Sequence, residues 1–194
     1  RSLNGHLTEQ QNEFIGFAID GAKRMDQLIV DLLRLAKVDA NPRIEKVKLL
    51  NVVEEVRLNL DALLKEKNGN ILCTGLPEIT ADRTQMLQVL QNIIGNGIKY
   101  NESELPVVSI KTATRKNEVE IIITDNGIGI PETSRDKVFQ IFHRIQTEKQ
   151  YAGSGVGLTI CKKIIESMNG RIYIEDNPSG GTTFRIVLPA SLMV

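Results

Sequence analysis

Residues 118–130 read Glu118-Val119-Glu120-Ile121-Ile122-Ile123-Thr124-Asp125-Asn126-Gly127-Ile128-Gly129-Ile130. Val119, Ile121 and Ile123 share one face, while Glu120, Ile122 and Thr124 share the other. This alternation predicts a mostly buried strand over 118–124. The strand runs directly into Asp-Asn-Gly-Ile-Gly. Glycines there allow positive φ and let a flat ligand approach the backbone. An aspartate at a strand end can accept a hydrogen bond from an amino group, such as the exocyclic amine of adenine. Standing alone, the same residues would serve equally as an ordinary turn.

Upstream lies a second candidate strand, 107–113, joined to the first through Arg115-Lys116-Asn117. Before it, a helix is predicted over Asp82–Tyr100, ending in Asn92-Ile93-Ile94-Gly95-Asn96-Gly97-Ile98-Lys99-Tyr100. Asn92 and Asn96 are four residues apart and stack on one face. Asn inside a helix is a poor choice for stability alone. Two carboxamide oxygens on one face can help hold Mg²⁺, which takes oxygen ligands and keeps waters and substrate phosphates around it. Lys99 can supply a phosphate partner and Tyr100 an aromatic wall. A solvated polar stripe is the plainer alternative.

Downstream, Gly153-Ser154-Gly155-Val156-Gly157-Leu158 opens a further helix, predicted over 156–168 and closed by Asn169-Gly170. Free N–H groups at a helix N-terminus form an anion site. No strand leads into this segment, which weighs against a Rossmann fingerprint, and no Gly-Lys-Ser/Thr follows, which excludes a Walker A loop. Between the two glycine motifs lies Val138-Phe139-Gln140-Ile141-Phe142-His143-Arg144. Phe139 and Phe142 read most simply as packing residues, and Arg144 carries a charge suited to a phosphate. Thr182, at the start of a final strand over 182–188, can bond to a ligand or simply occupy a strand edge. That strand follows another over 171–176.

The N-terminal third has a different character. Thr8 and Gln11 fit a capping box. Ile15, Ala18, Ala22, Met25, Ile29, Leu32 and Ala36 then recur by three and four. Such a stripe belongs to a coiled coil or helix bundle and requires partner helices. A polar, Pro-containing hinge follows over 39–46, then a helix expected from Asn51, with Glu54 completing a capping box, to about Lys67, and a short strand over 70–74. Helices over a mixed sheet make a two-layer α/β sandwich.

The chain has 194 residues, 41% hydrophobic and 25% charged, with zero formal net charge. These values suit a globular protein and give no support to a general nucleic-acid binder. No apolar run approaches the ~20 residues needed to span a bilayer, and no membrane contact is expected. The start at Arg1 rather than Met suits a piece of something longer. Cys73 and Cys161 lack metal-ligand spacing, so they read as small buried hydrophobes in a reduced, cytoplasmic protein.

In order and spacing these motifs resemble the catalytic domain of sensor histidine kinases, of phytochrome-like and PAS-linked type. Asn92–Tyr100 resembles the N box, Asp125–Gly129 the first Gly box, Phe139–Phe142 the F box, Gly153–Gly157 the second Gly box, and Gly181-Thr182 the closing Gly-Thr pair. Phe14–Val38, with Asp20-Gly21-Ala22-Lys23-Arg24-Met25, resembles the second helix of the dimerisation and phosphotransfer hairpin. The resemblance implies a Bergerat-type fold: about three helices on a mixed, mostly antiparallel sheet, preceded by one bundle helix. It divides the chain into a partial hairpin, 1–40, and an ATP-binding domain, 41–194.

It also implies roles. Asn96 would be the main Mg²⁺ ligand, with Asn92 assisting near the phosphates. Lys99 and Arg144 would contact phosphate, and Tyr100 would border the adenine. Asp125 would bind the adenine amine in a pocket shaped by Gly127 and Gly129. The lid from Gly153 through Ser154, Gly155, Val156 and Gly157 to Leu158 would cover the phosphates. The implied partners are a second copy, through the hairpin, and a response-regulator receiver domain. Gly97 replaces a small Ala common in the family, which with Gly95 predicts a helix end that frays.

Related hydrolytic ATPases carry a Glu four residues before the metal Asn. Here that position is Asn92, whose amide cannot take a proton from water. Transfer to a positioned histidine is therefore favoured over hydrolysis. A hydrolytic ATPase, a serine kinase of the same fold and a degenerate adapter are the alternatives. Only His6 and His143 are present. Neither has the acceptor's surroundings, so the phosphoacceptor is expected outside this chain.

Overall fold

The computed structural model describes residues 8–37, 42–115, 117–145, 154–177 and 179–193. A long helix, α1 (Glu9–Lys37), precedes an α/β body. The body runs β1 (Ile44–Lys48), α2 (Leu49–Asn59), α3 (Asp61–Lys67), β2 (Asn70–Thr74), β3 (Glu78–Asp82) and α4 (Arg83–Lys99). It continues through β4 (Val107–Arg115), β5 (Glu118–Asp125), α5 (Gly157–Ser167), β6 (Arg171–Asp176) and β7 (Thr182–Pro189). His6 and Gly153 lie outside the described residues.

Five strands form the main sheet in the order β2-β4-β5-β7-β6, with β2 parallel to β4 and every other pair antiparallel. The strand that opened the sequence reading, β5, sits at its centre. Val119, Ile121 and Ile123 are buried against Ile93, Ile94 and Ile98 of α4 and Ile160 and Ile164 of α5. Each such side chain taken out of water is worth about 1.5–3 kcal/mol. The opposite face of the sheet is closed by a polar network instead. Glu120 accepts from the Tyr173 hydroxyl at 3.3 Å and pairs with Arg185 Nη1 at 3.0 Å. Arg185 Nε in turn donates to Glu175 at 2.5 Å. The expected two-layer sandwich on a mixed, mostly antiparallel sheet is thus what the residues build.

Several local expectations change. The second helix begins at Leu49, not Asn51, and no side chain caps it. Burial decides its start: Leu49, Val52, Val53 and Val56 are all core residues, while Glu54 pairs with Arg57 at 3.4 Å instead of capping. The helix also breaks at Leu60, and α3 packs Leu63 and Leu64 on the core. The residues read as a hinge end in a strand, because Ile44–Lys48 pairs antiparallel with Glu78–Asp82. That second strand has Ile79 and Ala81 buried in alternation, in a segment too short for the pattern to stand out.

The α1 stripe stays open to solvent. Met25 and Ile29 are 60% and 58% exposed. A different side of the helix, carrying Leu28, Asp31 and Leu35, rests on the body, and Lys163 Nζ of α5 donates to the Leu35 carbonyl at 3.2 Å. The Thr8–Gln11 capping box forms as expected, with reciprocal bonds of 2.9 and 3.3 Å.

At the far end of α5, Asn169 takes φ +56° and Gly170 N donates to Ile165 O at 2.9 Å. A methyl on Gly170 would sit 2.7 Å from the Val187 carbonyl oxygen. Gly170→Ala should therefore cost about 1–3 kcal/mol. At ~2–4 °C per kcal/mol for a chain of this size, thermal melting should fall by several degrees. An unchanged midpoint would contradict this packing.

Candidate functional site

One end of α4, the turn after β5 and the start of α5 converge on a cavity of about 500 Å³. Asn92, Asn96, Lys99, Tyr100, Asp125, Gly129 and Thr182 line it, as do Arg144, Ser154, Gly155, Gly157 and Leu158. Of the site residues expected from sequence, Gly127 and Val156 do not line it. Val156 is fully buried in the core. Gly127 acts from behind the wall: a Cβ there would stand 2.5 Å from the Tyr100 carbonyl oxygen.

One lining residue is a carboxylate. Asp125 is the last residue of β5 and is 8% exposed. Its Oδ1 accepts from Gly127 N at 2.9 Å and Thr182 N at 3.1 Å. Among the described residues no donor reaches Oδ2, which leaves an acceptor for a ligand. Burial pushes the Asp125 carboxyl above its ordinary range, and the two N–H groups pull only partly against it. Ile128, Ile130 and Phe184 supply apolar wall.

Lys99 and Arg144 bring two cations to the lining. Burial lowers the Lys99 pKa first, and the nearby Arg144 charge lowers it further. Two like charges held together in a half-buried wall suit an anion between them. Lys99 Nζ also lies 5.0 Å over the Tyr100 ring. The first turn of α5 has no side-chain cap, and Gly157 and Leu158 of that turn line the cavity; a helix start of this kind suits an anion.

Asn92 and Asn96 of α4 also line the cavity. Asn92 Nδ2 donates to the Gly157 carbonyl at 3.2 Å, which ties α4 to the glycine-rich start of α5. Among the described residues no cluster of three His, Cys, Asp or Glu side chains could hold a metal. A divalent cation here would have to be shared by amide oxygens, waters and a ligand's own phosphates, as Mg²⁺ prefers. The Asn pair fits that demand.

Gly97 behaves differently from the sequence expectation. The helix does not fray. Tyr100 N donates to Asn96 O at 2.9 Å, and the Asn101 side chain caps Gly97 O at 3.1 Å. A methyl at Gly97 would lie 2.8 Å from Val108 Cγ2 and 3.0 Å from Asp125 Cβ. Glycine there lets α4 approach the end of β5 closely. Phe139 is buried as expected, but Phe142 is 55% exposed and holds φ +65°. An aromatic residue in that region is unusual. Its N–H bonds to Gly155 O at 3.1 Å, which pins the F-box segment to the lid's far side.

Three polar wall residues escaped the sequence reading. Asp31 of α1 accepts from Ser154 Oγ at 2.5 Å. His143 lines the cavity with its Nδ1 buried and without a hydrogen-bond partner. Gln88 lies one turn before Asn92. The first comes from a separate helix with no local motif. Gln88 follows the i, i+4 spacing already visible at Asn92 and Asn96. Cys161 is inert: burial pushes its thiol up to about 12.

Residues 81–192 match the family model described as histidine kinase-, DNA gyrase B- and HSP90-like ATPase. The chain belongs to this ATPase family. The phytochrome-like protein Cph1 of Synechocystis sp. is 38% identical over 184 residues, 94% of this chain and 25% of that protein. The chain thus spans about a quarter of the length of this curated relative. Full-length ShkA, solved in complex with AMPPNP, superposes with a TM-score of 0.73 at 24% identity, over 96% of this chain and 40% of that one. Histidine kinase ThkA, solved with response regulator protein TrrA, gives 0.73 at 23% identity, over 97% and 54%. At those identities the two structures attest the fold, and the sequence relatives attest the family.

The raised Asp125 pKa has a measurable consequence. The folded chain holds this proton more tightly than the unfolded one, so ionisation costs stability as pH rises out of the ordinary carboxylate range. Asp125→Asn keeps an oxygen for the two N–H groups and removes that cost. At neutral pH the variant should melt no lower than the parent, yet lose at least about tenfold in adenine-nucleotide affinity. A clear drop in melting temperature with binding intact would contradict the assignment of Asp125.

Proposed function

We propose that this chain is the ATP-binding catalytic domain of a sensor histidine kinase, moving the γ-phosphoryl group of ATP to a histidine on a dimerisation hairpin, for relay to a response-regulator aspartate. The observation that carries the reading is the composition of one cavity lining: a buried carboxylate with a free acceptor oxygen, two cations, two asparagines and the start of a helix without a side-chain cap. That set complements a molecule with an amino-bearing flat base and a polyphosphate.

Roles follow from position. Asp125 takes the adenine amine, with Gly127 and Gly129 shaping that pocket and Tyr100 bordering the ring. Thr182 steadies Asp125 through its N–H and faces the ligand. Lys99, Arg144 and the lid from Gly153 to Leu158 hold the phosphates. Asn96, assisted by Asn92, binds Mg²⁺. The metal, when bound, neutralises charge on the phosphates. The protein's own share is positioning and charge stabilisation. Residues 1–40 contribute the hairpin's second helix, and the exposed apolar stripe of α1 pairs with hairpin helices in a homodimer.

Asn92 separates transfer from hydrolysis. Its amide donates to Gly157 and offers no base for water. Mixing the chain with labelled ATP and a separate hairpin bearing the acceptor helix should put acid-labile label on that helix. Asn96→Ala should lower the rate by about a hundredfold or more. Rapid release of free phosphate without any acceptor, lost in Asn92→Ala, would overturn the kinase reading in favour of an ATPase. Stable labelling of His6 would overturn the placement of the acceptor outside this chain.

A further inference from the structure

Two asparagines behind the cavity share a set of hydrogen bonds. Asn101 follows α4 and is 3% exposed. Its Nδ2 donates to Gly97 O at 3.1 Å and to Asn126 Oδ1 at 2.8 Å, and its Oδ1 accepts from Ser103 N at 2.9 Å. Asn126 follows Asp125 directly. Its Oδ1 also accepts from Val107 N at 2.8 Å, and its Nδ2 donates to Leu105 O at 3.0 Å and Ser103 Oγ at 3.4 Å. The two amides thus join four things: the last turn of α4, the 101–106 loop, the first residue of β4 and the turn after β5.

This clasp surrounds a carboxylate with almost no room to move. Gly97 packs beneath the Asp125 side chain, and a methyl on Gly181 would collide with the Asp125 carbonyl oxygen. That carbonyl accepts from Asn177 Nδ2 at 3.0 Å. The Ile128 N–H bonds back to Tyr100 O at 3.2 Å. Every neighbour of Asp125 along the chain is therefore held, and the Asn101–Asn126 bond is the direct side-chain link between its turn and α4. Neither asparagine lines the cavity.

We propose that Asn101 and Asn126 are positioning residues that set the base selectivity of the nucleotide site by fixing the Asp125 carboxylate relative to α4. This rests on the reading of Asp125 as the acceptor for the adenine amine. Guanine presents a carbonyl where adenine presents that amine, and a carboxylate held rigidly in place repels it. A carboxylate free to swing away loses that discrimination, since selectivity comes from leaving the wrong partner unpaired. Asn126 is solvent-exposed, so truncating it removes the link without opening the core.

The test measures ADP and GDP affinities, each with Mg²⁺, by calorimetry on the parent chain and on Asn126→Ala, with melting temperatures alongside. The parent should prefer ADP. In Asn126→Ala that preference should shrink by about tenfold, equivalent to roughly 1.4 kcal/mol, mainly through weaker ADP binding. Asn101→Ala should do the same if it folds. Gly170→Ala, which destabilises the fold away from the cavity, serves as the control and should keep the parent ratio. An unchanged ADP:GDP ratio in Asn126→Ala overturns the proposal, as does an equal loss of ratio in Gly170→Ala. A parent chain that is folded but binds no ADP overturns the nucleotide reading, and the proposal with it.

Discussion

A carboxylate buried at the end of a central strand must be given donors or it costs more than the fold can return. Asp125 resolves that problem with backbone N–H groups from two different segments, Gly127 and Thr182. Its position then constrains what surrounds it. The β7 strand must begin at Thr182 for its N–H to reach. The turn must fold back over two residues, and α4 must carry glycine at 97 to come close enough. Because only Oδ1 is used among the described residues, the same arrangement leaves an acceptor for a ligand. Structural satisfaction and ligand recognition thus share one side chain.

The cationic lining follows a complementary logic. Lys99 and Arg144 reach the cavity from α4 and from the segment before the lid, and burial makes the Lys99 charge costly. Asn92 joins α4 to the first residue of α5, so the helix that carries the expected metal ligands also anchors the base of the lid. On the outer side, Ser154 of the lid is bonded to Asp31 of α1. The Ser154 hydroxyl is thus one point where the glycine-rich segment meets the appended helix.

Much of this was readable from the residues because it depends on local pattern. Strand 70–74 has the predicted bounds, α4 starts and ends within one residue of the expectation, and the β5 alternation marks a buried strand. Those elements carry strong periodicity or clear end signals. What escaped reading depends on tertiary contact. Leu49 starts its helix because the core needs it, overriding the capping box at Asn51. β3 is five residues long and gains its identity from pairing with β1. Gly97 looked like a weak point in a helix, but it is a point of close approach, visible only once β5 and α4 are side by side. Asp31 is 123 residues from its partner Ser154, a distance no motif spans.

The central claim is that the cavity between α4, the Asp125 turn and the start of α5 takes an adenine nucleotide with its base at Asp125. Backbone amide resonances followed during titration of the ¹⁵N-labelled chain with Mg-ADP test it most directly. The account predicts saturable shifts concentrated at Gly97, Asp125–Gly129, Thr182 and Gly157–Thr159, with the outer face of β6 unchanged. Saturable shifts that spare Asp125–Gly129 and Thr182, or no shifts from a folded chain at millimolar nucleotide, would contradict it.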